Sequence, residues 1–476
     1  MTDWVYIRIR SDEFYRVSMR FPGREEPLTF SSLATSAEIA NFRRKYFGEI
    51  VAARRKLGSA NPYSNPKNAL RFFDHIDRLG SEYLWKLAGE RELDVIREFR
   101  KAFSKQVSSF DPKNRSIPII IDAPDLFVPL EIVPMFDIEG SEERKTEILP
   151  EEQEALMHRR ARQFAGMVGT IHRIRPQEAL SDGEAAGLAP EPQPREVGRI
   201  DQADLLAARS RLPVKLFYHC DLKGAKDEAS FFAERPDVID LDGPWPFAVP
   251  RLSMAGRIAS SWQSVWRGIG FGKDRPEDQQ DREEAALQAF ASDLAGHIRC
   301  TDLRLDGSSR DPEDQVQHFS CHCGRTSDGG DYEISLKAVN GAVMTVRTGE
   351  IGRNFKRYAR NPSIEGEAIA SGPLVFLNAC ETGVGEAGDF GSFEQLFPLS
   401  FNRALITSQT VVPDTFAAEF SSIFYDSILP GQMTVGQALH IARWEMLRSR
   451  QNPFGILYSL SGNANLVVGD PAKHLT

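Results

Sequence analysis

The sequence predicts an α/β protein: a sheet flanked by helices, with a β-hairpin and a helical layer on its N-terminal side. Three observations lead there. Beyond residue 210, short apolar runs alternate with segments of helical period, the pattern of a sheet covered on both faces. Two stretches near the N-terminus carry the period of two that marks strands. At 476 residues the chain exceeds what one compact core usually holds, so two or three folding units are expected.

The elements follow in chain order. Val5–Arg10 and Tyr15–Phe21 alternate apolar and polar residues across a short Ser-Asp-Glu-Phe connection, which reads as a hairpin occupying residues 1–34. From Thr35 the period lengthens. Thr35 and Glu38 have the spacing of a capping box, and Ile39, Phe42, Tyr46, Ile50, Ala53 and Leu57 recur at steps of three or four before Gly58. Leu93, Ile96, Phe99, Phe103 and Val107 repeat the pattern, and both stripes read as core-facing helix surfaces. Ile117–Asp122 reads as a short buried strand, and the strongly charged residues 150–175 as helical, so 35–178 is expected to be a helical region with one strand. Leu180–Gly198 holds three glycines and three prolines, the composition of an exposed linker within 179–210. The remaining unit, 211–476, offers Val214–Cys220, Val316–Ser320, Leu374–Leu377, Ala404–Thr407 and Leu466–Val468 as strands. Helices are expected near 283–298, 391–403, 415–429 and 434–448.

Bulk composition removes several classes of function. A net charge of -9 and a pI near 5.6 argue against nucleic acid as the main partner. The opening MTDWVYIRIRSDEF is charged too early for a signal peptide, and no apolar run approaches the roughly eighteen residues of a membrane span. A cytoplasmic protein is expected. Its five cysteines are an odd number with no disulfide-scaffold spacing, which leaves packing thiols, metal ligands or a nucleophile.

Two of the expected strands end in reactive residues. DQVQHFSCHCG places His318, Cys321, His322, Cys323 and Gly324 at or just beyond one strand end, and PLVFLNACETGVG places Cys380 at another. A thiol at a strand end before a Gly-rich turn is open to a peptide carbonyl, and a neighbouring imidazole can take its proton. The order His then Cys, 58 residues apart, agrees with nucleophilic dyads whose histidine lies about fifty residues upstream. Strand alternation should turn Cys321 and Cys323 to one side and His322 to the other. A second reading keeps His318, Cys321 and Cys323 as zinc ligands, although no further CxxC or HxxxH pair completes a tetrahedral shell.

LNACETG resembles the nucleophile motif of CHAT domains, the caspase-like peptidases related to separase, and HFSCHCG resembles their histidine motif. TSQTVVPDTFAAEFSSIFYDSILPG is similar to the strand, Val-Pro-Asp turn and helix that follow the nucleophile, and TVGQALHIARWEM to the terminal helix. IPIIIDAPDLFVPLEIVPM resembles the family's early hairpin with its Pro-x-Glu element. The resemblance spans roughly residues 70–470 and is densest after 314.

It implies a caspase-like fold and a cysteine endopeptidase with Cys380 as nucleophile and His322 as general base. Main-chain N–H groups at Cys380 and around Cys323 and Gly324 would form the oxyanion hole, without metal or organic cofactor. Two departures stand out. The family usually has glycine directly after the histidine, where this chain has Cys323; a backbone N–H survives that change. It also tends to have Trp where Thr410 stands, which bears on the substrate pocket. Asp414, in Val412-Pro413-Asp414, is placed by the resemblance in the pocket for the side chain before the scissile bond, where a carboxylate favours Arg or Lys. Its other reading is a helix N-cap. The expected partners are a protein substrate and a regulatory protein, in a bacterial defence or stress system, with neither membrane nor nucleic acid. The rival function is an inactive scaffold that keeps the fold.

Overall fold

The computed structural model describes residues 5–11, 15–21, 26–32, 65–88, 117–123, 130–134, 150–173, 205–208, 210–245, 315–325, 332–337, 343–347, 372–380, 402–408 and 412–469, with scattered positions between 34 and 52 and between 94 and 101. Among them the α/β expectation holds. A sheet of thirteen strands is covered by helices.

The N-terminal hairpin forms as its alternation predicts. Strands β1 (Val5–Ser11) and β2 (Tyr15–Arg20) pair antiparallel, and β3 (Leu28–Ser31) follows β2. Val5, Ile7 and Ile9 are buried beside Tyr15, Val17 and Met19. The hairpin is the edge of the large sheet, because β1 also pairs in parallel with β4 (Ile117–Asp122). Asp122 anchors this join: its carboxylate takes hydrogen bonds from Tyr6, Arg8 and Arg10 at 2.6–3.0 Å.

The expected capping box at Thr35 is present. Thr35 N donates to Glu38 Oε2 at 2.8 Å and Glu38 N to Thr35 Oγ1 at 3.3 Å, and the described positions from 38 to 52 are helical. The apolar residues proposed for the helix of 93–107 lie outside the described residues, as do the linker 180–198 and the helix near 283–298. Of the helix expected near 391–403 only Asn402 and Arg403 are described, and they are not helical.

Helix α1 (Pro66–Ala88) falls inside the region expected to be helical. Asn65 starts it, its side chain accepting from Lys67 N at 2.8 Å. Its buried stripe of Ala69, Phe72, Phe73, Ile76, Leu79, Tyr83 and Leu87 has helical spacing. Phe72 and Phe73 carry it onto Phe454 and Phe164, with ring centroids 5.2 and 5.5 Å apart.

One expectation is corrected near the sheet's centre. Residues 150–175 are not helical throughout: α2 (Pro150–Ala161) and the short α3 (Ala165–Val168) give way to strand β5 (Gly169–Arg173), which pairs in parallel with β4 and, through Arg173, with Ser461. The buried, β-branched Ile171 suits that interior strand. After β4 the described residues begin again at Leu130–Ile132, a short 3-10 helix, and Pro134 bridges to Phe164; the rest of the expected hairpin lies outside the described residues.

In the C-terminal part, β7 (Leu212–Tyr218) leads through α4 (Lys223–Ala233) to β8 (Ile239–Trp245). Strands β9 (Val316–Arg325), β10 (Tyr332–Lys337) and β11 (Val343–Arg347) follow, then β12 (Leu374–Cys380) and β13 (Ala404–Ser408). Helices α5 (Asp414–Ile428) and α6 (Val435–Arg450) precede β14 (Tyr458–Gly462). The order across the sheet is β11-β10-β9-β12-β13-β14-β5-β4-β1-β2-β3, and β7 pairs with β8 and with the first half of β9. Leu466–Val468 was expected in the same sheet. Instead β15 (Val467–Gly469) pairs with β6 (Leu205–Ala207) as a separate two-stranded ladder, so the last part of the 179–210 connection is strand. No helix among the described residues is long and apolar enough to cross a membrane.

Candidate active site

The site is set by the parallel pairing of β9 and β12. Their register runs Leu374 opposite Val316 through Ala379 opposite Cys321, and ends with Cys380 opposite His322. Adjacent strands lie about 4.8 Å apart, so the two residues stand at one level of the sheet, at the carboxyl end of β12. Side chains along β9 are buried from Val316 to Cys321, and His322 is the first that is partly exposed. His322 is therefore where this strand meets solvent.

Strand β9 extends further than its apolar run suggested. It continues through Cys323 and Gly324 because β10 takes over as its neighbour: Ser335 pairs with His322, Ile334 with Cys323 and Glu333 with Gly324. β12 stops at Cys380, so among the described residues no strand covers Cys323–Arg325 on that flank. The expected alternation holds: Cys321 and Cys323 are buried on one face with their sulfurs 3.7 Å apart. His318 lies on the other face, its ring 5.3 Å from that of Phe232 and its Nδ1 3.0 Å from the Tyr425 hydroxyl. The three residues of the zinc reading thus do not share a face, and no metal-ligating cluster occurs among the described residues.

Beneath the site lies a buried polar cluster that the sequence did not announce. Glu228 of α4 is almost completely buried, and its Oε1 accepts from Asn378 Nδ2 at 2.5 Å and from Ser421 Oγ at 2.6 Å. His318 Nε2 lies 3.1 Å from the same oxygen, within ion-pair range though off the line of a good hydrogen bond. Asn378 is also held by Ala417 O at 2.9 Å and by the Tyr458 hydroxyl, which donates to its Oδ1 at 2.5 Å. One carboxylate so links α4, the strands that bear His322 and Cys380, and α5. Burial alone would raise the Glu228 carboxyl, but His318 and the hydroxyl donors outweigh it and hold it below the usual range. The only hint in sequence was Asn378 in LNAC, two residues before Cys380.

Asp414 begins α5, with Pro413 at the cap position. Its Oδ1 accepts from Thr415 N at 2.8 Å and its Oδ2 from Gly224 N at 3.1 Å. The carboxylate thus meets main-chain N–H groups at the first turns of α5 and α4 from the first helical position, not from the N-cap that the alternative reading expected. Gly224 is needed there, since a Cβ would sit 2.1 Å from the Asp414 carbonyl oxygen. Thr410 lies outside the described residues.

Sequence missed a second histidine. His219 follows β7, is buried, and sets its ring 4.3 Å from that of His322 at an interplanar angle of 66°. Burial first, then the His322 charge, pull its imidazole down to about 4. Asp221 beside it pairs with Lys337 of β10, which holds the Asp221 carboxyl below its usual range.

Residues 363–464 match the model of the CHAT domain family. No curated protein matches the chain in sequence. Among solved structures, one of the Saccharomyces cerevisiae separase–securin complex is similar at 11% identity and a TM-score of 0.35, covering 98% of this chain and 30% of that one. A second structure of the same complex gives 10% identity and a TM-score of 0.32 with the same coverage. The chain spans 30% of the length of the chains it matches there. The match to the CHAT domain family thus takes in the Cys380 strand and helices α5 and α6.

Proposed function

We propose that this protein is a cysteine endopeptidase acting through Cys380 and His322. The observation that supports it is the register of β9 and β12, which sets Cys380 opposite His322 at the open end of two parallel strands within a CHAT match. His322 takes the thiol proton, and the sulfur adds to the scissile carbonyl carbon. The oxyanion is received by main-chain N–H groups at Cys380 and at Cys323 or Gly324. Collapse breaks the C–N bond, and His322 returns its proton to the leaving amine. Water, deprotonated by the same imidazole, then hydrolyses the thioester. No cofactor enters this scheme.

The substrate in this reading is a protein segment in extended form, and Asp414 contributes charge at the rim of the site. Cleavage under control of a regulatory protein, in a cytoplasmic defence or stress system, is part of the same proposal and rests on analogy with CHAT proteins. The test is to incubate the purified chain with proteins encoded beside it and identify fragments by mass spectrometry. A fragment formed by wild type and absent with Cys380→Ala supports the reading. Cleavage retained by Cys380→Ala overturns it.

A further inference from the structure

The second histidine has a defined seat. β7 ends at Tyr218, and the next two residues are tied by their main chain to both neighbouring strands: His219 N donates to Ser320 O at 2.8 Å and Cys220 N to Lys337 O at 3.0 Å. His219 therefore lies where β7 gives way to β10 along one flank of β9, while β12 with Cys380 lies along the other. His322 stands between them. Its ring meets that of His219 in the T-shaped geometry that polar aromatic rings favour. Because rigid strands fix both backbones, this contact constrains the plane of the His322 imidazole.

The charges around His219 are His322 from β9, Lys337 from β10, and Asp221 and Cys220 from its own segment. Burial leads in disfavouring its cation, followed by repulsion from a charged His322; the pull of Asp221 is partly countered by Lys337. Two touching imidazoles do not both stay protonated near neutral pH, so an arriving proton remains on His322. His219 then presents a neutral ring with an unshared nitrogen pair, and its buried Nδ1 has no hydrogen-bond partner among the described residues.

We propose that His219 is a positioning residue for the dyad: its neutral ring seats His322 edge to face and steadies the imidazolium formed when Cys380 gives up its proton. The inference rests on the dyad reading above, and a base oriented by a third group is the usual requirement of such nucleophiles. The test needs no substrate. The rate at which iodoacetamide alkylates Cys380, followed peptide by peptide from about pH 5 to about pH 9, reports formation of its thiolate. His219→Phe keeps ring packing and removes the nitrogens; its alkylation midpoint is expected to rise by about one pH unit, about a tenfold slower reaction at neutral pH. His219→Gln, which restores a neutral polar partner, should recover most of the rate. An unmoved midpoint in His219→Phe, where His322→Ala does shift the profile, overturns the role of His219 alone. If His322→Ala also leaves the profile unchanged, the dyad reading itself fails. Imidazole nitrogen NMR on the wild type gives an answer independent of variant folding: His219 should stay neutral to about pH 5 while His322 titrates alone. Joint titration of the two rings overturns the inference.

Discussion

The sheet carries two buried ionic clusters, one on either side of β14, and they are built from different chemistry. Toward β5, Arg173 grips Glu131 in a two-pronged pair at 2.7 and 2.5 Å, and fully buried Arg443 donates to Gly166 O at 2.7 Å and Tyr458 O at 2.5 Å. Trp444 Nε1 adds a bond of 2.6 Å to Met167 O. Toward β12, Glu228 gathers His318, Asn378 and Ser421. Guanidinium groups keep their charge at any working pH; even Arg443, lowered by burial to about 10, stays ionised at neutrality. The Glu228 carboxylate does not share that constancy. The β5 side of the sheet is held by guanidinium groups, and the side that bears Cys380 and His322 rests on a carboxylate.

The widest separation between the halves should appear in activity. Cys380→Ala and His322→Ala are each expected to abolish cleavage while the melting temperature stays close to wild type, and the double variant should be little worse than either, because dyad members act as a unit. Arg443→Met should do the opposite. It takes the Arg443 donors away from two buried carbonyls and leaves Glu131 with less compensating charge, so a loss of about 3–5 kcal/mol in urea unfolding is expected.

Acid response sharpens the contrast. His440, deeply buried in α6, is pushed down to about 3 by burial first and then by Arg443 and Arg448. Its unfolded form binds a proton near pH 6.5 that the folded form refuses, so stability falls as pH drops from there toward 3. His440→Leu should remove about 2–3 kcal/mol of the loss seen between about pH 6.5 and 4.5. Glu228 titrates with the other sign of charge but the same direction. Its carboxyl is lowered in the fold, so its contribution is present above the ordinary glutamate range and is lost as pH falls through the folded value. Glu228→Gln should cost about 2 kcal/mol at pH 7, with the gap to wild type narrowing in acid. A gap that stays constant with pH would break the comparison.

The smallest effect is expected at Asp414. Asp414→Asn keeps an acceptor for Thr415 N and Gly224 N, so it should cost no more than about 1 kcal/mol. If it also loses preference for peptides with Arg or Lys before the cleaved bond, the pocket role stands; unchanged preference leaves a helix cap.

Much of this was legible in the chain. Hairpin alternation from Val5 to Phe21, the Thr35–Glu38 capping box, the strands around 117, 214, 316, 374 and 404, and the two C-terminal helices follow from period and capping chemistry, which act between near neighbours. Likewise the opposed faces of His322 and its flanking cysteines require only that a strand alternate. β5 was missed because GTIHR is short and follows a charged helix, and its strand state depends on β4 and β14 lying beside it. His219, Glu228 and Ser421 carried no local signal, since their partners lie 103, 90 and 193 residues away.

By itself the sequence determined the class of fold, the candidate thiol and imidazole, and the segments that carry them, because residue type and short-range period are local properties. Only tertiary structure decided that β9 runs past its apolar stretch to keep His322 within the sheet, that β12 meets it with Cys380 at the same level, that a buried carboxylate joins the two strands, and that a second histidine packs on His322. Register and desolvation arise where distant strands and helices close on one another, and no local run of residues encodes them.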